Sequence, residues 1–115
     1  MAEGHLATKK TFSYEEALTL LPEVSRLTEE AHQKVQALGE EFAAGRASEH
    51  DAQDRLNEIA TGWARVLIEK GLEVKGIWLV DFDNGSGYYC WRYPEPGLQY
   101  YHSYEEGFRG RMRIQ

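Results

Sequence analysis

At 115 residues, 42% hydrophobic and 28% charged, the chain has the make-up of one ordinary globular domain that needs no disulfide or metal staple to fold. Thirteen basic against nineteen acidic residues leave a net charge of -6, which argues against a general electrostatic grip on nucleic acid or an anionic membrane. The single cysteine, Cys90, excludes an internal disulfide and any CxxC zinc or redox motif. No apolar run approaches the ~20 residues of a membrane span, and the opening MAEGHLATKK lacks the apolar stretch of a signal peptide; the expected location is therefore cytoplasmic.

Residues 1–11 read as a disordered N-terminus and 12–115 as a single α+β domain. Ser13 predicts a helix start: its hydroxyl can accept from a free amide of the first turn, and Glu16 three residues on completes a capping box. Pro22 lacks a donor and clashes with the preceding turn, so the expectation is a short helix over 14–20 and a new, long one from 22 to 43. Val24, Leu27, Ala31, Val35, Leu38 and Phe42 recur at spacings of three and four and share one face of it. After the connection Ala44-Gly45-Arg46-Ala47, Ser48 caps a helix over 49–70 with the stripe Leu56, Ile59, Ala60, Trp63, Val66 and Leu67, stopped at Lys70-Gly71. Two amphipathic helices joined by so short a loop predict an antiparallel hairpin.

From Leu72 the period changes. Leu72–Phe82, Tyr88–Tyr93 and Leu98–Tyr104 read as three antiparallel strands, separated by an Asn84-Gly85 turn and by Pro94-Glu95-Pro96-Gly97. The expected architecture is thus a long helical hairpin, with a short preceding helix, packed on a three-stranded β-meander. Alternation places Trp78, Val80, Phe82, Tyr89, Trp91, Tyr93, Leu98, Tyr100 and His102 on an apolar face toward the helices. It places Ile77, Leu79, Asp81, Tyr88, Cys90, Arg92 and Tyr101 on a mixed second face with nothing predicted to cover it. Uncovered apolar surface of this kind marks an interface or ligand groove, and the expectation is a homodimer through that face.

Several stretches form an ordered set: Phe12-Ser13-Tyr14-Glu15-Glu16-Ala17 with Leu20-Leu21-Pro22, Gly71-Leu72-Glu73-Val74-Lys75, Leu79-Val80-Asp81-Phe82, Cys90-Trp91-Arg92, His102, and Gly107-Phe108-Arg109-Gly110-Arg111. Together they resemble a bacterial family known as the domain of unknown function 2203, over nearly the whole chain from residue 12. The chain departs from the family's pattern at Asp83, where a proline tends to follow the Asp-Phe pair, and in a shorter segment between Lys75 and Leu79. The resemblance implies no established activity or cofactor. It directs attention to the stretch from Asp81 to Arg111.

No strong catalytic or nucleotide motif is present. A divalent transition metal would need three or four converging ligands. His102 with Glu105 and Glu106 is the set the chain can bring together most easily, because Asp81 and His102 fall on opposite faces in this register. Glu29-x-x-His32 has the spacing of bundle metal sites, but no second such motif accompanies it, and a solvated helix face is the preferred reading. Asp81, Cys90 and Arg92 share a face; a structural ion pair and a small core thiol are the plain readings of them. Cys90 has no histidine on its own face to activate it. Asp81, Cys90, Trp91, Arg92, Arg109 and Arg111 are the candidates for an interface or a small anionic ligand. The first functional reading is a non-enzymatic assembly protein acting as a homodimer. The second is a small metal- or anion-binding protein centred on His102 and the C-terminal Gly-Phe-Arg-Gly-Arg loop, and an enzyme ranks third.

Overall fold

The computed structural model describes residues 10–114, so all but the last two residues of the segment 1–11 expected to be disordered lie outside the described residues. Helix α1 runs over Tyr14–Ala43 and α2 over Glu49–Glu69, antiparallel to it. The expected capping box is present: the Glu16 amide donates to Ser13 Oγ at 3.0 Å and the Ser13 amide to Glu16 Oε1 at 2.8 Å. The expected break at Pro22 is not. One helix of 30 residues passes through it. Pro22 lies on the exposed side, while Leu21 and Val24 on either side of it are buried in the core. Packing on both sides of the proline holds the helix together, and the missing hydrogen bond falls where water can reach the freed carbonyl.

The sheet has five strands, not three: β1 (Glu73–Gly76), β2 (Leu79–Asp83), β3 (Tyr88–Arg92), β4 (Tyr100–His102) and β5 (Met112–Arg113), antiparallel throughout and in chain order. The single strand expected over Leu72–Phe82 folds back on itself at Ile77-Trp78. Gly76 pairs with Leu79, and Trp78 takes a φ of 64°. That left-handed conformation is costly for a bulky residue. It is held by the Trp78 ring, which meets Trp63 edge-on with centroids 4.8 Å apart. Between β2 and β3, Asp81 opposes Cys90 and Asp83 opposes Tyr88, with Gly85 at φ 93° in the loop. The loop thus spans residues 84–87, and Asp81 and Cys90 share a face as alternation predicts.

The next turn shifts the parity. Cys90 pairs with Tyr100 and Tyr88 with His102, so Tyr100 and His102 stand on the Asp81–Cys90 face, and Tyr101 pairs with Tyr89 on the helix side. The connection from β3 to β4 absorbs one residue more than a four-residue Pro94–Gly97 turn, and a slip of one residue moves every side chain of a strand to the other face.

Val80, Phe82 and Trp91 on the inner face join Val24, Ala31, Trp63 and Leu67 of the hairpin in one apolar core. The outer face is not open. After β4 the chain returns through a 3-10 turn, Phe108–Gly110, into β5. Phe108 and Arg111 lie over the sheet beside Arg92 and Tyr100. The C-terminal segment therefore fills much of the face on which the sequence placed a dimer contact.

Candidate metal centre

Beneath that C-terminal cover, neighbouring strands of the outer face contribute Asp81 (β2), Cys90 (β3) and His102 (β4). Their relative exposures are 1%, 1% and 2%. Asp81 and Cys90 are direct cross-strand partners, and His102 lies diagonally from Cys90, two residues beyond Tyr100. At such positions side chains of this length meet. One donor atom from each, a carboxylate oxygen, the thiol sulfur and an imidazole nitrogen, lies within 4.8 Å of the other two.

The ring of His102 is fixed at both nitrogens. Nδ1 is 2.8 Å from the carbonyl oxygen of Ser103, which can only accept, so Nδ1 carries the hydrogen and donates. Nε2 is 3.0 Å from Asp81 Oδ2. A contact this short is a hydrogen bond, and an ion held by both atoms at roughly 2.0 Å would sit off the line between them. A backbone carbonyl holding one ring nitrogen while the other is aimed inward is the common support of a metal-ligating histidine. Gly87 makes the approach possible: a Cβ there would stand 2.7 Å from the carbonyl oxygen of His102.

Asp81 Oδ2 has a second contact, Lys75 Nζ at 3.3 Å. Asp81 Oδ1, fully buried, has no hydrogen-bond partner among the described residues, an arrangement that costs stability unless something satisfies it. Burial works against the Lys75 ammonium, but the charge and hydrogen bond of Asp81, then Tyr88 and Glu73, outweigh it and hold its pKa above the ordinary value. Burial, and after it the Asp81 carboxylate, push the Cys90 thiol up to about 12. At neutral pH Cys90 is therefore a thiol.

Arg111 closes the Cys90 side. Its guanidinium lies 3.9 Å from the Phe108 ring centre and 4.0 Å from that of Tyr100. It forms a forked pair with Glu95, Nη1 to Oε1 at 3.1 Å and Nη2 to Oε2 at 2.9 Å, and Nη1 is 4.0 Å from Cys90 Sγ. Burial opposes the guanidinium's charge, yet Glu95 outweighs it and the pKa is raised. Glu95 thus occupies the fork of Arg111 that an external anion would need.

The geometry does not make a nucleophilic relay. Such a relay places the acid on one imidazole nitrogen and the thiol on the other; here the second nitrogen is taken by the Ser103 carbonyl, Cys90 faces Asp81, and the thiol's pKa is raised rather than lowered. Convergence of three different donors on one point is a chelating arrangement. A tetrahedral ion with bonds of roughly 2.0–2.3 Å separates its ligand atoms by about 3.3–3.7 Å, so small side-chain rotations would close this set around an ion.

The sequence candidates divide accordingly. Asp81, Cys90 and His102 come together, although alternation had set His102 apart. Glu105 and Glu106 are exposed, and Glu106 turns toward Ser103 and Gly110 instead. Trp91 belongs to the inner core, Arg92 stacks over Phe108 and Arg109 is exposed. Glu29 accepts from the Tyr93 hydroxyl at 3.1 Å, and His32 packs against Tyr93 and Trp78, so that pair ties helix to sheet. Sequence reasoning passed over Lys75 and Gly87; the signal for Gly87 was a second glycine just beyond the two turn residues Asn84-Gly85.

These features define a small α+β protein with a buried oxygen, sulfur and nitrogen donor cluster on the outer face of an antiparallel sheet. Residues 10–114 match the family described as an uncharacterized conserved protein (DUF2203), and the chain belongs to that family. No curated protein and no solved structure matches it. No helix among the described residues is long and apolar enough to cross a membrane.

Proposed function

We propose that this is a metal-binding protein in which Asp81, Cys90 and His102 hold one divalent transition ion. The observation that carries the reading is their convergence in a fully buried cluster where one carboxylate oxygen lacks a partner among the described residues. The mixed donor set suits zinc, with cobalt, nickel and iron as neighbours in preference. An ion would convert Cys90 to a thiolate despite its raised pKa. Arg111 Nη1 then stands where it can donate to the sulfur, as supporting groups around metal thiolates do. Three protein ligands leave a fourth position on the ion, and burial of all three restricts access to it, which favours a structural or sensing ion over a catalytic one. A thiolate ligand also fits a reducing compartment such as the cytoplasm.

Elemental analysis of protein purified without chelator, followed by titration of the metal-free form with Zn2+ and Co2+, tests the proposal. The expected result is one ion per chain, with a thiolate-to-cobalt charge-transfer band that His102→Ala and Cys90→Ser both abolish. Protein that purifies without metal and takes up neither ion would overturn it.

Self-association is a second reading, now carried by the hairpin rather than the sheet. Within α2, the buried residues are Trp63 and Leu67, both in the final third. A groove between the helices is lined by Val35, Leu38, Phe42, Ala52 and Leu56, continuing toward Leu27, Ile59 and Val66. Glu30, Lys34 and Glu58 on its rim bring both signs of charge, so a second copy packed antiparallel would complete a four-helix layer. Light scattering at micromolar concentration should give a dimer that Phe42→Glu dissociates; a monomeric wild type would end this reading.

A further inference from the structure

One cation already stands beside the cluster, and its side chain is partly open to solvent. Lys75 is the extra residue of the bulge in β1, where the register steps between Val74 and Gly76; bulges re-aim side chains in this way. Its Nζ lies 3.3 Å from Asp81 Oδ2, 3.5 Å from Glu73 Oε1, and 4.2 Å from the centre of the Tyr88 ring. Its side chain is 38% exposed, against 1% for Asp81 and 2% for His102. Lys75 therefore spans from solvent to the oxygen that faces the imidazole.

We infer that Lys75 is the resident counter-ion of Asp81 and that a metal ion enters the cluster by displacing it, so that Lys75 sets the affinity of the site. This rests on the metal-binding reading above. An ion bound between Oδ2 and Nε2 would lie within a few ångströms of the ammonium, where two positive charges repel strongly even with partial screening. One of them must leave. The lysine can do so, because it has a flexible four-carbon stem and a half-open path to water. Arg111 on the other side cannot, since Glu95 and two aromatic rings hold it. Lysine release and metal entry are then linked, each opposing the other by the same factor.

The test compares the full-length wild type with Lys75→Met, which keeps the apolar stem and removes the charge, and with Lys75→Arg, which keeps the charge. Zn2+ affinity is read by competition with a chromophoric chelator, and circular dichroism checks the fold. Lys75→Met should bind at least tenfold more tightly than wild type, and Lys75→Arg no more tightly. Wild type that binds zinc while folded Lys75→Met binds equally or more weakly would overturn the displacement and leave the metal site standing. Wild type and Lys75→Met that both fail to bind would overturn both. A second readout needs no variant. In the wild type, Zn2+ should speed acetylation of Lys75 by a water-soluble acylating reagent, followed by peptide mass spectrometry. A rate unchanged at saturating zinc would overturn the displacement.

Discussion

On its helix-facing side the sheet buries Val80, Phe82 and Trp91 at 0–1% exposure; on the opposite side of the sheet, Asp81, Asp83, Cys90 and His102 are buried almost as deeply. The first set is what folding requires, each side chain contributing about 1.5–3 kcal/mol by leaving water. The second set contributes little by burial. A hidden carboxylate and imidazole are costly unless paired, and apolar residues of similar size would hold the C-terminal cover at least as well. The inner face accounts for the fold, whereas the outer face is built from groups a stability argument would not choose, and that contrast points to function on the outer side.

The contrast breaks most visibly if the inner face is damaged. Phe82→Ala, at 0% exposure and in edge contact with Phe12, should cost about 3–5 kcal/mol in denaturant unfolding. A loss under 1 kcal/mol would mean that the inner face is not the main source of stability.

The outer face should respond to ligand instead. With free Zn2+ at a hundred times its Kd, the wild type should gain about 2.7 kcal/mol of unfolding free energy by mass action. His102→Ala should gain nothing in the same thermal or denaturant scan. A gain of equal size in His102→Ala would move the zinc effect away from this cluster. Next in size, Arg111→Met removes the forked pair with Glu95 and the stacking on Tyr100 and Phe108, for a loss of about 1–2 kcal/mol. It should also raise the reactivity of Cys90 toward iodoacetamide, because the guanidinium covers the sulfur. A thiol that stays inert in a destabilised Arg111→Met would show that something else covers it.

The raised pKa of Cys90 gives a pH dependence on the same face. The thiol's ordinary value is 9.0 and the folded value about 12. Between them the unfolded chain releases the proton and the folded chain keeps it, so the unfolded state binds fewer protons and stability falls as pH rises. The contribution is whole below pH 9 and is lost progressively above it, amounting to about 1 kcal/mol by pH 10. Metal-free wild type should therefore lose stability more steeply than Cys90→Ala from pH 9 to 10.5, and parallel curves would place the thiol outside the buried network.

Much of this was legible in the sequence and some was not, for local reasons. The helical stripes, the Ser13 and Ser48 caps and the shared face of Asp81 and Cys90 follow from spacing, because helix and hairpin periodicities are short-range. Pro22 misleads because a local rule says break, while the burial of Leu21 and Val24 is a tertiary matter. The Ile77-Trp78 turn is invisible because neither residue is a turn former; tertiary contacts of Trp78 with Trp63, His32 and the Tyr93 amide stabilise it. His102 was assigned to the inner face because the expected turn before β4 was one residue too short. Since pairing has a period of two, that single residue separated the imidazole from the two groups it meets.

The smallest effect lies on neither face and serves as the control between them. Ser13→Ala removes the acceptor for the Glu16 amide at the start of α1 and takes no atom from the donor cluster. It should cost roughly 0.5–1 kcal/mol, as loss of an exposed cap does. Because the donor cluster is untouched, zinc should bind to Ser13→Ala with unchanged affinity. If zinc binding weakened together with this helix cap, affinity would be following overall stability, and the division between a face that folds the chain and a face that binds would no longer hold.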